Sequence, residues 1–195
     1  VGAGSNQGSA LAMIGTSANQ LNDAYEWNGS NWSEISAIGT NRGRNQGGGE
    51  SSEAALVVGG DDTPTCVKTN QTEIWNGTSW TEVANLNTAR WNSTGLGTAN
   101  HMVVVTGHAG GAICSNTEEW NGSSWSEVTD LTTERAYAGN AAGGLGSEGI
   151  YAGGYSSPGN AVVGTTELWN ATATTTGSFG LLKPRGGTIN TEAFQ

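Results

Sequence analysis

The sequence predicts an all-β protein assembled from repeated antiparallel units. The pattern Trp-Asn-Gly-x-x-Trp occurs three times, and a fourth Trp-Asn dipeptide follows without the second tryptophan. The leading tryptophans are 48, 45 and 49 residues apart, a period typical of stacked supersecondary repeats. They are Trp27, Trp75, Trp120 and Trp169. Glycine accounts for 32 of the 195 residues and charged side chains for only 12%, a composition typical of turn-rich β proteins.

The unit spanning 43–90 shows the predicted strands in order. A glycine-rich stretch at 43–50 leads into residues 54–60, an apolar run that ends in a glycine pair and predicts a buried strand. A polar loop at 61–71 follows. Comparable apolar runs stand at 11–15, 102–107 and 149–154, so the other units are expected to contain the same strand.

A hairpin is predicted next in the same unit. Residues 72–75 indicate a strand, and Asn76-Gly77 predicts a two-residue type I′ turn, in which both central residues have positive φ. Residues 79–83 alternate apolar and polar side chains and indicate the returning antiparallel strand. The stretch after Arg90 is expected to supply the fourth strand.

Three residue types recur at fixed places in the units. We expect the tryptophans to fill the space between neighbouring sheets, where burial of one contributes on the order of a few kcal/mol. An arginine follows the leading tryptophan by 15 residues in three units and by 16 in the fourth, at Arg42, Arg90, Arg135 and Arg185. A glutamate precedes that tryptophan by two residues at Glu73, Glu118 and Glu167. Catalytic residues break the symmetry of a repeat, whereas these glutamates obey it. We therefore predict that they are structural acceptors for backbone amides or for the repeated arginines.

These features resemble kelch repeats. The resemblance rests on the short strands in a unit of about 48 residues, on Gly59-Gly60 and Gly153-Gly154, on the Glu-x-Trp sequences and on the second tryptophan. It covers residues 8–185 and implies a β-propeller with four-stranded antiparallel kelch-like blades, about four of them in this chain. Tyr25 departs from the pattern because it takes the place of the glutamate, and Thr174 stands where the last second tryptophan would fall. A sialidase-type propeller fits less well, because its turn carries an Asp-rich box and these turns contain no aspartate.

The predicted array occupies residues 1–176, in units near 1–42, 43–90, 91–135 and 136–176, and residues 177–195 are expected to connect or cap it. A threonine-rich passage at 171–180 joins the repeats. This combination looks like the propeller-bearing tail-fibre and other virion structural proteins of tailed bacteriophages. The resemblance implies a virion-surface or extracellular location, virion structural proteins and a host surface glycan as partners, and a homo-oligomer.

Charge and hydropathy narrow the classes of partner. The net charge is −10 and the sequence pI is about 4.4, so the chain is expected to repel phosphate backbones and anionic lipids. We therefore predict neither nucleic-acid binding nor membrane insertion, and no apolar run approaches the ~18–20 residues that cross a bilayer. Cys66 and Cys114 occupy comparable places in their units, and either a disulfide or two free thiols fits this spacing.

The sequence offers few groups for catalysis. His101 and His108 differ by an odd number of residues, so on one strand they would point to opposite faces and not form a joint site. Asp61 and Asp62 break the repeat symmetry in a loop, which suggests ligand contact or calcium binding. Trp91 lies outside the repeated pattern and could stack on a sugar.

The predicted function is therefore a non-enzymatic structural and recognition module with no cofactor or metal, in which Asp61, Asp62, Trp91 and His108 are the candidate ligand-binding residues. The alternative is a secreted propeller enzyme, a hydrolase or an oxidase, that acts on carbohydrate.

Overall fold

The computed structural model of the chain describes residues 2–6, 8–13, 22–62, 66–142, 148–156 and 161–170. These residues form antiparallel strands and turns, with no helix among them, and so no helix that could span a membrane. The predicted all-β class is confirmed. In chain order the strands are β1 (Gly2–Asn6), β2 (Ser9–Met13), β3 (Ala24–Trp27), β4 (Trp32–Ile35), β5 (Arg42–Gly43), β6 (Gln46–Ser51), β7 (Ala54–Val58), β8 (Asp61–Asp62), β9 (Thr72–Trp75), β10 (Trp80–Glu82), β11 (Arg90–Trp91), β12 (Thr94–Gly97), β13 (Met102–Val105), β14 (His108–Ala109), β15 (Ala112–Ile113), β16 (Thr117–Trp120), β17 (Trp125–Val128), β18 (Gly139–Ala142), β19 (Glu148–Ala152), β20 (Tyr155–Ser156), β21 (Ala161–Val162) and β22 (Thr166–Asn170).

Four main sheets follow one another along the chain. Sheet 1 has the order β1-β2-β3-β4, sheet 2 the order β6-β7-β9-β10, and sheet 3 the order β12-β13-β16-β17. Sheet 4 shows β18-β19-β22 within the part of the chain that the structure describes. Contacts join the first strands of neighbouring sheets, from β1 to β6, β6 to β12 and β12 to β18. The sheets therefore converge along their first strands, although no closed ring is detected among the described residues.

The glycine-rich stretch has a different place from the one predicted. The prediction that it only precedes a strand is wrong, because residues 46–51 themselves form β6, the first strand of sheet 2. The prediction that the stretch after Arg90 supplies the fourth strand of this unit is also wrong, because that stretch belongs to sheet 3. Close approach between first strands explains the glycines. A Cβ on Gly48 would lie 2.9 Å from the carbonyl oxygen of Gly97 in the next sheet, which leaves no room for a side chain.

The hairpin turn also differs from the prediction. Trp75 is directly opposite Trp80, so the connection has four residues, 76–79, and is not the two-residue type I′ turn. Gly77 has φ of +88°, whereas Asn76 has no positive φ. The Asn76 side-chain oxygen accepts hydrogen bonds from the backbone N–H groups of Thr78 and Ser79, both at 3.0 Å. Asparagine therefore stabilises this turn through its side chain rather than through a left-handed backbone.

Three apolar cores lie between consecutive sheets. Trp75 packs with residues of sheet 1 such as Leu11, and Trp169 packs with residues of sheet 3 such as Val103. Between sheets 2 and 3, Trp120 and Trp125 pack together in one core. The prediction that tryptophans fill the space between sheets is confirmed at these positions. It is wrong for Trp32, which is 51% exposed because no described sheet covers that side of sheet 1.

Buried ion pairs tie sheets 2, 3 and 4 to the preceding unit. Arg42 pairs with Glu73, Arg90 with Glu118, and Arg135 with Glu167. Each glutamate also accepts backbone N–H groups from the preceding unit: Gly39 donates to Glu73, Asn87 and Thr88 to Glu118, and Thr132 and Thr133 to Glu167. The predicted role of the glutamates as structural acceptors is confirmed. Arg185, the threonine-rich passage and the segment 177–195 lie outside the described residues.

Candidate ligand-binding face

A second set of short strands lies beside the main sheets. β5 pairs with β8, β11 with β14, and β20 with β21, and an isolated bridge joins Ala136 to Tyr155. We call the repeated arginine at the end of a unit its closing arginine. In β5–β8, in β11–β14 and in the Ala136 bridge, a segment at a closing arginine pairs with the segment that follows the glycine pair of the next unit, or its equivalent. The same contact therefore forms at three successive unit junctions, whereas β20 and β21 form a hairpin within one unit.

Glycine at position 60 makes this pairing possible. Its φ is +105°, and a Cβ there would lie 2.4 Å from the carbonyl oxygen of Gly43. Gly107 and Gly154, the equivalent residues, both have φ of +101°. The second glycine of the kelch-like pair is thus required by close approach of two backbones.

A ladder of backbone hydrogen bonds links the units at this face. Arg44, Asn92 and Tyr137 each lie two residues after a closing arginine, and they have left-handed φ values of 52°, 49° and 57°. The Asn92 N–H donates to the Arg44 carbonyl oxygen at 3.1 Å, and the Tyr137 N–H donates to the Asn92 carbonyl oxygen at 3.2 Å. Left-handed backbone is costly for arginine and tyrosine, and such strain clusters at functional sites.

Four rings form a continuous line on this face, which we call the aromatic row: Trp91, His108, Tyr137 and Tyr155. The ring centroids of Trp91 and His108 are 5.9 Å apart, as are those of His108 and Tyr137, and those of Tyr137 and Tyr155 are 6.1 Å apart. All three contacts are edge-to-face, a favoured arrangement of aromatic pairs. Tyr137 is 59% exposed and Tyr155 43% exposed, so the row is open to solvent at that end.

Two cations lie at the other end of the row. The Arg44 guanidinium carbon is 4.2 Å from the centroid of Trp91, and the Lys68 ammonium nitrogen is 5.6 Å from it. Arg44 also pairs with the buried Asp61 carboxylate at 3.2 Å, and Lys68 donates a hydrogen bond to the Gly110 carbonyl oxygen. The indole of Trp91 is thereby held by cation–π contacts from residues of the preceding unit.

The row has a neutral histidine at its centre. Burial lowers the pKa of His108, and the nearby charges of Lys68 and Arg44 lower it further. The imidazole is therefore neutral at neutral pH. Within the described part of the chain, His108 Nδ1 and Trp91 Nε1 are buried and have no hydrogen-bond partner. Buried groups of this kind are usually hydrogen-bonded, so these two are unsatisfied polar atoms within the row.

The structure brings three of the four predicted site residues together. Trp91 and His108 pair across β11 and β14. Asp61 is linked to them indirectly, because it pairs with Arg44 and the Arg44 guanidinium lies over the Trp91 ring. Asp62 lies apart from the row, and its carboxylate accepts a hydrogen bond from the Val67 N–H at 3.1 Å.

Sequence reasoning missed Arg44, Lys68, Tyr137 and Tyr155. For Arg44, Tyr137 and Tyr155 the sequence did contain a signal, because each stands at a position that is equivalent between units but carries a different side chain. Arg44 and Tyr137 occupy the same place after the closing arginine, and Tyr155 matches Asp61 and His108, yet the side chains at each place differ from unit to unit.

Other titratable groups of the sequence analysis do not join the aromatic row. Among the residues placed by the structure, no group of three or more His, Cys, Asp or Glu side chains could hold a metal ion, so the suggested calcium role of Asp61 and Asp62 has no support. His101 lies elsewhere and contacts Glu119 at 2.5 Å. Cys66 and Cys114 are free thiols, and burial raises the pKa of Cys114.

Comparisons with known proteins support the fold. No protein-family model matches the chain, and no curated protein sequence matches it. The chain is similar to a solved structure described as the structure of YjhT, a kelch-type β-propeller, with a TM-score of 0.63 at 12% identity. The match covers 75% of this chain and 49% of that one, so the chain spans about half the length of YjhT. The likeness concerns the all-β, propeller-like fold alone, and no family match supports the bacteriophage resemblance.

Proposed function

We propose that this chain is a non-enzymatic recognition module that binds carbohydrate through the aromatic row, on sheets that are blades of a kelch-type propeller. The observation that carries the proposal is the row itself, a line of aromatic rings that is open to solvent at Tyr137 and Tyr155 and has cationic groups at its other end. Aromatic faces take the apolar C–H surfaces of sugars, and a few placed polar groups fix their orientation. Here the accessible polar group is Arg44, whose side chain is 39% exposed and lies against Trp91.

The pattern of repetition supports the same proposal. Arginine, glutamate and tryptophan recur because each unit must pack on the next one. At the face, by contrast, the backbone geometry recurs while the side chains change from Asp61 to His108 to Tyr155. Rigid repeat frames carry recognition on such variable positions.

The test is direct titration of short neutral oligosaccharides chosen from a glycan-array screen, with affinity measured by calorimetry. Trp91→Ala and Tyr137→Ala are each expected to weaken binding by about tenfold or more, because each removes one stacking surface. Trp32→Ala is the matched control, since Trp32 is also exposed but lies on sheet 1 outside the row. Absence of any binding sugar, or equal affinity in all three variants, would refute carbohydrate binding at the row.

The same samples test the absence of catalysis. After prolonged incubation, mass spectrometry of the bound oligosaccharide should show no cleaved or oxidised product. A product that forms with wild-type protein and is lost in a row variant would favour the secreted enzyme instead.

The location that we propose for the module is a virion surface, with neighbouring virion proteins as further partners. The support is the sequence resemblance of the repeats and of the threonine-rich passage to phage tail proteins. Antibody labelling of intact particles is expected to reach the chain from outside, and an exclusively internal epitope would contradict the proposal.

A further inference from the structure

Every sheet in the array has two different faces. We call the face that carries the leading tryptophan of the unit the front face and the opposite one the back face. At each internal contact, the front face of one sheet packs on the back face of the preceding sheet. In sheet 3, for example, Trp120 and Trp125 of the front face pack on Leu56 and Val58 of the back face of sheet 2.

The front face of sheet 1 has the same construction but lacks that cover. The rings of Trp27 and Trp32 are 5.6 Å apart at 44°, close to the 5.4 Å and 41° of Trp120 and Trp125. Trp125 is only 6% exposed, whereas Trp32 is 51% exposed. The equivalent tryptophans are better covered, since Trp80 is partly buried and Trp125 is buried, whereas Trp32 is half in solvent.

The back face of sheet 4 is also uncovered, and it is the kind of face on which a front face packs elsewhere in the array. Ile150 is opposite Leu168, in the register that places Leu56 opposite Ile74 in sheet 2. Leu56 is fully buried under sheet 3, whereas Ile150 is 45% exposed. The array therefore has one uncovered front face and one uncovered back face among the described residues, and the two match each other chemically.

We propose that the front face of sheet 1 in one copy of the chain packs on the back face of sheet 4 in a second copy. The chain carries both halves of this contact, and the described residues of one copy form no closed ring. Two copies related by a twofold axis satisfy all four faces in a closed head-to-tail ring.

The ion-pair pattern points to unit 4 as the occupant. At internal contacts the arginine of the preceding unit needs the glutamate of the next sheet, but sheet 1 has Tyr25 at the glutamate position. A preceding unit with a regularly placed arginine would bury a guanidinium without its carboxylate, which is strongly unfavourable. Unit 4 is the one unit whose arginine, Arg185, is displaced by one residue in the sequence.

The experiment is sedimentation equilibrium or native mass spectrometry of the 195-residue chain and of two variants. Trp32→Glu disables the front face, and Ile150→Glu disables the back face. Each is expected to raise the dissociation constant of the pair by about a hundredfold, since burial of one large apolar side chain is lost in each contact. Val162→Glu is the control, because Val162 is 78% exposed on β21 and belongs to neither face.

Mixing the variants tests the head-to-tail geometry. A mixture of Trp32→Glu and Ile150→Glu copies retains one intact contact, so it should form mixed pairs that neither variant forms alone. Both substituted residues are about half exposed, and an unchanged near-ultraviolet circular dichroism spectrum checks that the variants fold.

Three results would overturn the proposal. Wild-type protein that remains monomeric at every concentration would show that copies do not cover these faces. Pairing of Ile150→Glu as strong as wild type would indicate a front-to-front contact. Open-ended oligomers that lengthen with concentration would exclude closure into a pair.

The contact between copies is separate from the aromatic row. The affinity for sugar per site is therefore expected to be unchanged in Trp32→Glu.

Discussion

The ion pair of Arg90 and Glu118 provides the sharpest test of how the sheets are joined. Both side chains are fully buried, and the guanidinium contacts the carboxylate at 2.5 Å. The carboxylate also accepts the backbone N–H groups of Asn87 at 2.7 Å and Thr88 at 3.2 Å. Replacing Glu118 with glutamine keeps the size of the side chain but leaves the buried guanidinium without a counter-charge.

The expected cost is large because burial removes any solvent screening. Breaking a buried pair by removing one partner destabilises a protein by about 3–5 kcal/mol, and whole domains have only about 5–15 kcal/mol of stability. Glutamine can still accept one of the backbone N–H groups, so we expect about 3 kcal/mol for Glu118→Gln. Arg90→Met combined with Glu118→Gln should cost less than the sum of the single changes, with a coupling of about 2 kcal/mol.

The assay is urea denaturation followed by tryptophan fluorescence. Glu119→Gln is the matched control, because Glu119 is the next residue on β16 and its side chain is 25% exposed beside His101. A partly exposed pair of this kind contributes about 1 kcal/mol or less. Equal effects of Glu118→Gln and Glu119→Gln would refute the argument that burial makes the repeated ion pairs indispensable.

Three further predictions concern acidity, turns and close backbone approach. Burial raises the pKa of Glu167, but hydrogen bonds from Thr132 and the charge of Arg135 outweigh it, so the folded-state pKa lies below the ordinary 4.5. Its stabilising effect is complete above pH 4.5 and is lost as the pH falls through the folded-state value, so Glu167→Gln should flatten the acid limb of unfolding free energy against pH. Asn121→Ala should cost about 0.5–1.5 kcal/mol in denaturant titration, since two N–H groups lose their acceptor, and full retention of stability would contradict the turn described. Gly60→Ala should lower stability by about 1–3 kcal/mol or more, whereas Gly111→Ala, which meets nothing within 4 Å, should be nearly neutral; similar thermal midpoints would exclude a steric role for Gly60.

The frame could be predicted from the sequence because packing repeats with the chain. Arg90 and Glu118 recur at fixed distances from the tryptophans, and only an interaction between units explains two opposite charges that recur in register. The turn could not be read from Asn76-Gly77 alone, because local propensity favours a two-residue turn there. The facing tryptophans Trp75 and Trp80 set a four-residue connection, and their cross-strand pairing overrides the local preference.

The aromatic row could be predicted only in part, since its members come from two units and meet through backbone contacts that the sequence does not show. Trp91 and His108 stood out because they depart from the repeat, whereas Tyr137 and Tyr155 passed as ordinary loop residues. Aligning the units on their closing arginines would have placed Arg44, Asn92 and Tyr137 at one position and exposed their differences. The hydrogen-bond ladder between units explains the left-handed backbone at Arg44, Asn92 and Tyr137, but it does not explain why their side chains differ. Because these variable side chains lie beside solvent-exposed rings, the row, rather than the repeated tryptophans, is the surface on which to test binding.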